Sequence, residues 1–286
     1  MRLYQLLLIN PWALASAFCF LSTTSHRSPQ LFSSLSSGDK VLVVGGTGGV
    51  GQLVTKKLLA SGFGVRVTSR NVEKGEATLD DDRVQVTSLD LIRDDISAMT
   101  QAMQDMDAVV ISVGTTAFPT MKWKDGNTPE AIDQVAVTKL ARAAKSAGLK
   151  KIILVTSVGV ERTKEMPFLI LNLFGVLDAK KAGEEAVEAS GLDYAIVRPG
   201  RLVGGPYTNL DFAKLLQIEG GAENGVSIEV GDSLLGDTKR DAVAEAIMQA
   251  LLKEECSNIA FSIISNEGRA LTTDEWTSEF SRMAAR

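Results

Sequence analysis

The densest chemical signal in the chain is Gly45-Gly46-Thr47-Gly48-Gly49-Val50-Gly51. It follows the apolar run Val41 to Val44 and opens a stretch whose apolar residues (Val50, Leu53, Val54, Leu58) recur with a helical period. Glycines at 45, 48 and 51 give the spacing G-x-x-G-x-x-G. Gly45 permits a tight turn, Gly48 lets a pyrophosphate approach the backbone, and Gly51 lets the helix pack close to the strand. The backbone from Thr47 through Gly49 and Val50 then offers free N–H groups at a helix N-terminus, where phosphate is attracted. A second signal stands at the exit of the next apolar run, which reads Thr68-Ser69-Arg70-Asn71. An NAD enzyme carries an acid here to hold the ribose 2′-OH. Arg70 cannot accept a hydrogen bond, but it can pair with a 2′-phosphate and stack on adenine, with Ser69 as a second donor beside Asn71. NADP is therefore the expected cofactor. Asp90-Leu91, past the third run, sits where such folds meet the adenine amine and its face; Asp90 could equally cap the following helix.

These residues act together only if strands and helices bring them to one edge of a sheet. The runs Val41 to Val44, Val65 to Thr68, Val84 to Thr87, Ala108 to Ser112, Ile152 to Thr156 and Tyr194 to Val197 read as six strands. Helical stretches lie between them near 50–60, 94–103, 129–147 and 168–189, followed by helix 239–252, strand 259–264 and helix 273–284. That alternation predicts a single α/β domain over 39–286, a doubly wound parallel sheet of the Rossmann type with about seven strands, the seventh (Ile259 to Ile264) at the edge. Pro167 to Leu177 contains no charge, so it either packs at the sheet and lines a substrate cleft or leaves an apolar patch for an apolar substrate, a partner protein or a membrane surface. Eleven residues are too few to span a bilayer. Thr272 and Glu275 form a capping box ahead of Trp276, Phe280 and Met283, a stripe read as core.

Composition narrows the chemistry further. The first acidic residue is Asp39, and from there on 28 Lys+Arg face 35 Asp+Glu, an excess of acid that argues against nucleic acid as a ligand. The single histidine, His26, precedes Asp39, so the body of the chain has no Ser-His-Asp triad and no His metal site. Cys19 lies in the same head and Cys256 is the only cysteine after it, which leaves no disulfide within the body. Residues 1–38 read as a bipartite address. Residues 1–17 are a basic start and an interrupted apolar run ending in Ala15-Ser16-Ala17, as a signal peptide does, and 18–38 is Ser-rich and acid-free, as a transit peptide is. Ala15-Ser16-Ala17-Phe18 resembles the motif of plastid precursors in algae with secondary plastids, which implies delivery to the stroma. An ordinary secretory signal is the alternative.

Several motifs together resemble the atypical short-chain dehydrogenase/reductases, and within them the NmrA-like plastid branch. They are the glycine loop, Ser69-Arg70-Asn71, Asp107 to Ile111 leading to Val113-Gly114, Ile152 to Gly159, and Asp193 through Arg198-Pro199-Gly200. Leu171 to Lys181 is similar to a stretch of that branch. The resemblance implies nucleotide contacts from Val113, Gly114, Lys180 and Pro199, and a possible role in a plastid protein complex. Active members of the wider family use a Tyr as general acid four residues before a Lys, with a Ser or Thr at the end of the fifth strand. Ser157 fits the hydroxyl and Lys180 fits the Lys, but Val176 stands in the Tyr position. The resemblance thus implies either hydride transfer to a conjugated small molecule without the usual Tyr or a non-catalytic NADP(H)-sensing protein. Tyr207, in the loop after Gly200, is a further group that could reach a substrate.

Overall fold

The computed structural model describes residues 34–205 and 224–285. The chain divides into two units, 1–31 and 32–286, and everything described belongs to the second, which carries its own hydrophobic core. Phe18, Cys19, His26 and Tyr207 lie outside the described residues.

The apolar runs form strands because both faces of the sheet are covered. In β1 (Lys40–Val44), Val41 and Val43 point into one core layer while Leu42 and Val44 point into the other, and all four are fully buried. The same holds for β4 (Ala108–Ile111), and β5 (Lys151–Val155) is buried along its length. With β2 (Gly64–Ser69), β3 (Val84–Ser88), β6 (Asp193–Pro199), β8 (Gly225–Val230) and β10 (Ile259–Asn266), they build one eight-stranded sheet in the order β3-β2-β1-β4-β5-β6-β10-β8. All neighbours run parallel except β8 against β10. Strand order reverses between β1 and β4, and a crevice opens beyond their carboxyl ends, where doubly wound sheets bind nucleotides. Helix α1 (Gly49–Ala60) and helix Arg240–Leu252 pack on one side, while α3 (Ile96–Ala102), α4 (Val137–Ala147) and α6 (Val176–Glu188) pack on the other.

The expected seven strands are all present, but Ile259–Asn266 is not the edge. β8 pairs antiparallel outside it, from Phe261 opposite Val230 to Asn266 opposite Gly225. In β8 only Gly225 and Ile228 are buried, so its one-sided burial gives little apolar signal. Arg201–Val203 and Asp237–Lys239 add a small parallel pair, β7 with β9. A helix not foreseen, α2 (Val72–Leu79), buries only Gly75 and Leu79, so it has no apolar stripe. It starts because Asn71 accepts a hydrogen bond from Lys74 N–H at 2.8 Å.

The single helix expected over 168–189 is two. The short α5 (Phe168–Leu171) ends in a turn that reaches Gly175, whose φ of +73° no helix interior tolerates. The Asn172 side chain then accepts from Leu177 and Asp178 N–H at 2.9 and 3.2 Å and starts α6. At the front of the body, Leu35 is 3% exposed within the core, and its N–H donates to the Leu251 carbonyl at 2.9 Å. The folded body therefore takes in the last residues of the stretch that reads as transit-like.

Candidate nucleotide and substrate site

The glycine loop adopts the geometry its spacing requires. Gly45 has φ +85°, and a Cβ there would lie 2.4 Å from the Ser112 carbonyl oxygen; a Cβ on Gly51 would lie 2.2 Å from that of Gly45. Gly48 is the N-cap of α1, with no side-chain cap and no acid in the first turn. Among the described residues no side chain caps this helix start, which fits a pyrophosphate. Gly45, Thr47 and Gly48 line a cleft of about 640 Å³. Val50 is turned into the core, and Gly49 and Gly51 belong to the helix rather than to the cleft wall.

At the other end of the cleft stand Ser69, Arg70, Asp90 and Leu91, joined by Lys74, a second cation that the primary structure did not single out. Lys74 comes within reach only through the formation of α2. Asn71 serves the α2 cap instead of the cleft, and the Ser69 hydroxyl donates to the Asn71 carbonyl at 2.6 Å. Asp90 lines the cleft and also accepts from Ile92 and Arg93 N–H at 3.0 and 3.2 Å; the next helix, α3, is capped by Asp95, not by Asp90. Burial pushes the Asp90 carboxyl up, but those two N–H groups and the Arg93 and Arg70 cations outweigh it and hold it below the usual carboxylate range.

Beyond β4, Val113 and Gly114 line the same cleft, and so does Thr115. Lys180, from α6, reaches this point and forms a buried ion pair with Asp133, Nζ to Oδ1 at 2.5 Å. The other Asp133 oxygen accepts from the Thr115 hydroxyl at 2.5 Å and its N–H at 3.1 Å. A side chain on Gly114 would collide with this cluster, its Cβ 2.8 Å from Lys180 Nζ. Asp133 carries no local motif, because its partner is 47 residues away. One trace is available: it sits among Ile132, Ala136 and Val137 on a buried helical face, where an unpaired acid is not tolerated.

A second cavity, of about 450 Å³, adjoins the first, and Thr115 lines both. Ser157 and Lys180 line it, as do Arg201 and Asp237, which pair with each other at 2.7 and 2.8 Å; the rest of its wall is largely apolar, from Val158, Phe168, Leu171, Val176 and Leu177. Val176 is buried and lines the cavity one turn before Lys180, where a Tyr would have stood. Pro199 lines neither cavity; it is buried, and its carbonyl accepts Val158 N–H at 2.9 Å, which anchors the loop after β5. Cys256 is buried, and burial pushes its thiol up to about 12, so it is inert. Among the described residues, no cluster of His, Cys, Asp or Glu could hold a metal ion, and no helix is long and apolar enough to cross a membrane.

Residues 45–254 match the family model described as NAD(P)H-binding. The chain belongs to that NAD(P)H-binding family. Its glycine loop, its Ser69-Arg70-Asn71 strand exit and its Arg198-Pro199-Gly200 turn place it among the atypical short-chain dehydrogenase/reductases of NmrA-like type. This NAD(P)H-binding chain is 32% identical over 241 residues to an uncharacterized chloroplastic protein of Arabidopsis thaliana, covering 81% of the chain and 77% of that protein. It is 32% identical over 200 residues to the chloroplastic protein TIC 62 of Oryza sativa subsp. japonica, covering 65% of the chain but only 39% of TIC 62. The oxidoreductase ylbE of Lactococcus lactis shares the fold at a TM-score of 0.66 and 20% identity, covering 85% of this chain and 98% of that one.

Proposed function

We propose that the chain is an NADP(H)-dependent reductase of the plastid that acts on a conjugated, apolar small molecule. The observation that carries this reading is the junction at Thr115, where the nucleotide cleft meets an apolar cavity beside Lys180, Asp133 and Ser157. Bound NADPH supplies a hydride from its nicotinamide ring. The start of α1 holds the pyrophosphate, Arg70 and Lys74 hold the 2′-phosphate, and Asp90 and Leu91 meet the adenine. Lys180 is kept in one place by Asp133. Its remaining N–H groups can donate to the nicotinamide ribose or to a developing anion on the substrate. Ser157, or water, supplies the proton. Val176 has none to give, so the site suits a substrate that spreads negative charge over a conjugated system, such as a quinone, a flavin or a tetrapyrrole. The same Val176 favours one second reading, a binding protein that responds to NADP(H) within a plastid assembly.

The test is titration of the protein with NADPH and NADH, followed by a stopped-flow screen for NADPH oxidation by those three substrate classes. A charge-assisted pair is worth about 1.5 to 3 kcal/mol, so Arg70→Ala should weaken NADPH about 10- to 100-fold and leave NADH nearly unchanged. Equal loss for both cofactors would remove the NADP preference. Tight binding without turnover of any substrate would move the assignment to the binding protein.

The plastid assignment draws support from Ala15-Ser16-Ala17-Phe18, from the acid-free stretch after it, and from the chloroplastic relatives. In an alga with secondary plastids, Phe18→Ala in a fluorescent fusion should leave the protein outside the stroma. Arrival of the variant in the stroma at the wild-type level would show that the head works in another way.

A further inference from the structure

The largely apolar cavity carries two cations, and they differ in depth. Lys180 has a side chain only 11% exposed and is matched by Asp133, close to where the cavity meets the nucleotide cleft. Arg201 stands further out, its side chain 57% exposed, and lines the cavity together with Asp237, which is 34% exposed.

Arg201 is fixed by what surrounds it. It lies directly opposite Asp237 in the parallel pair of β7 with β9, and its backbone N–H donates to the Gly236 carbonyl at 3.0 Å. The preceding N–H, of Gly200, donates to the Thr238 hydroxyl at 2.8 Å, and that hydroxyl donates to the Ile263 carbonyl on β10 at 2.7 Å. Asp237 Oδ1 accepts from Arg201 Nε at 2.8 Å, and its Oδ2 accepts from Nη2 at 2.7 Å. This pairing takes the side edge of the guanidinium. Its end edge, Nη1 with the second hydrogen of Nη2, has no acceptor among the described residues.

An exposed ion pair adds little to stability. A pinned guanidinium with one edge free does more for binding, since its two parallel N–H groups match both oxygens of a carboxylate, whereas a lone carbonyl takes only one. One guanidinium shared by two acids already occurs in this chain, where Arg198 bonds Glu184 through Nε and Nη2 and Glu161 through Nη2. Asp237 then acts in two opposed ways. It orients the fork, and its charge repels the acid that the fork receives.

We propose that Arg201 selects a substrate that carries a carboxylate, whose conjugated apolar body fills the cavity while its acidic end takes the free edge of the guanidinium. As a statement about substrate this rests on the reductase reading; as a statement about what the cavity binds it does not.

The test uses anthracene-2-carboxylate and 2-anthracenemethanol, one ring system with and without the charge. Each is titrated with the protein in the presence of excess NADP+ and followed by fluorescence anisotropy. Both should bind, since the ring alone suits the apolar wall. Arg201→Met should weaken the carboxylate about tenfold and leave the alcohol within about twofold. Asp237→Asn keeps an oxygen to orient Nε and removes the like charge, so it should tighten the carboxylate about threefold. A pair that served only the β7–β9 fold predicts instead that both substitutions weaken binding. Neither residue lines the nucleotide cleft, so NADPH affinity and melting temperature should hold in both variants, which shows that they are folded. The proposal is overturned if the wild type does not bind the carboxylate, if Arg201→Met leaves the ratio of the two affinities unchanged, or if Asp237→Asn fails to tighten the carboxylate. None of these readings needs turnover. If no quinone, flavin or tetrapyrrole is reduced while the pattern holds, the reductase reading falls and the carboxylate site stands.

Discussion

Replacing Gly48 with valine should remove measurable nucleotide binding and leave the fold standing. Gly48 has φ −80° and ψ 168°, an extended conformation that valine adopts readily, so the substitution strains no backbone. The new Cβ meets only the Gly45 carbonyl oxygen, at 3.1 Å, and a shift of a few tenths of an ångström relieves that contact. The two methyl groups, however, occupy the space through which a pyrophosphate must approach the start of α1. Loss of that approach should weaken both NADPH and NADH by about a thousandfold or more, about 4 kcal/mol, in calorimetry, with little change in melting temperature. Retained affinity would mean that the glycine loop does not hold the phosphates. Gly51 behaves differently, since a Cβ there runs into the backbone and endangers the fold itself.

A comparable effect on stability is expected from Glu184→Ala. Glu184 is fully buried on α6 and accepts from Arg198 Nε at 3.0 Å, Arg198 Nη2 at 2.7 Å and the Thr156 hydroxyl at 2.6 Å. Arg198 is 1% exposed, and its other acid, Glu161, bonds only one nitrogen, at 2.9 Å, from a position 44% exposed. Removing Glu184 leaves a buried guanidinium with most of its charge unmatched. Breaking one side of such a pair costs about 3 to 5 kcal/mol, which for a domain of this size lowers the melting midpoint by about 6 to 20 °C. Denaturant unfolding of the variant would check this; a loss under about 1 kcal/mol would show that Glu161 satisfies Arg198 alone. Because Lys180 lies one turn before Glu184 on the same helix, nucleotide and substrate contacts should loosen with it.

What could be read from the amino-acid order, and what could not, divides along physical lines. Gly45 and Gly51 are legible because backbone geometry leaves no other residue possible there, and strands such as Val41–Val44 because burial on both faces demands an unbroken apolar run. The order also shows the missing acid at the end of β2. It does not show α2, which depends on one Asn cap, or β8, which is buried on one side only. Lys74 and the true sheet edge are hidden for those two reasons. The cluster of Lys180, Asp133 and Thr115 is out of reach for a different one. Its members come from α6, from the helix that leads into α4, and from the exit of β4, and only the closed fold brings them together. The split of helix 168–189 hangs on Gly175 and Asn172, two residues whose turn-forming role is lost within an apolar run.

The buried position of Leu35 bears on where the proposed targeting segment could be cut away. A peptidase that removed everything before residue 38 would strip out a leucine whose burial is worth about 1.5 to 3 kcal/mol, along with its hydrogen bond to Leu251. Once the body has folded, the residues from Leu35 onward are no longer an extended substrate that a protease groove can accept. If the proposed targeting segment is removed, the folded body sets the inner limit of that cut, and an end group ahead of Leu35 keeps this contact.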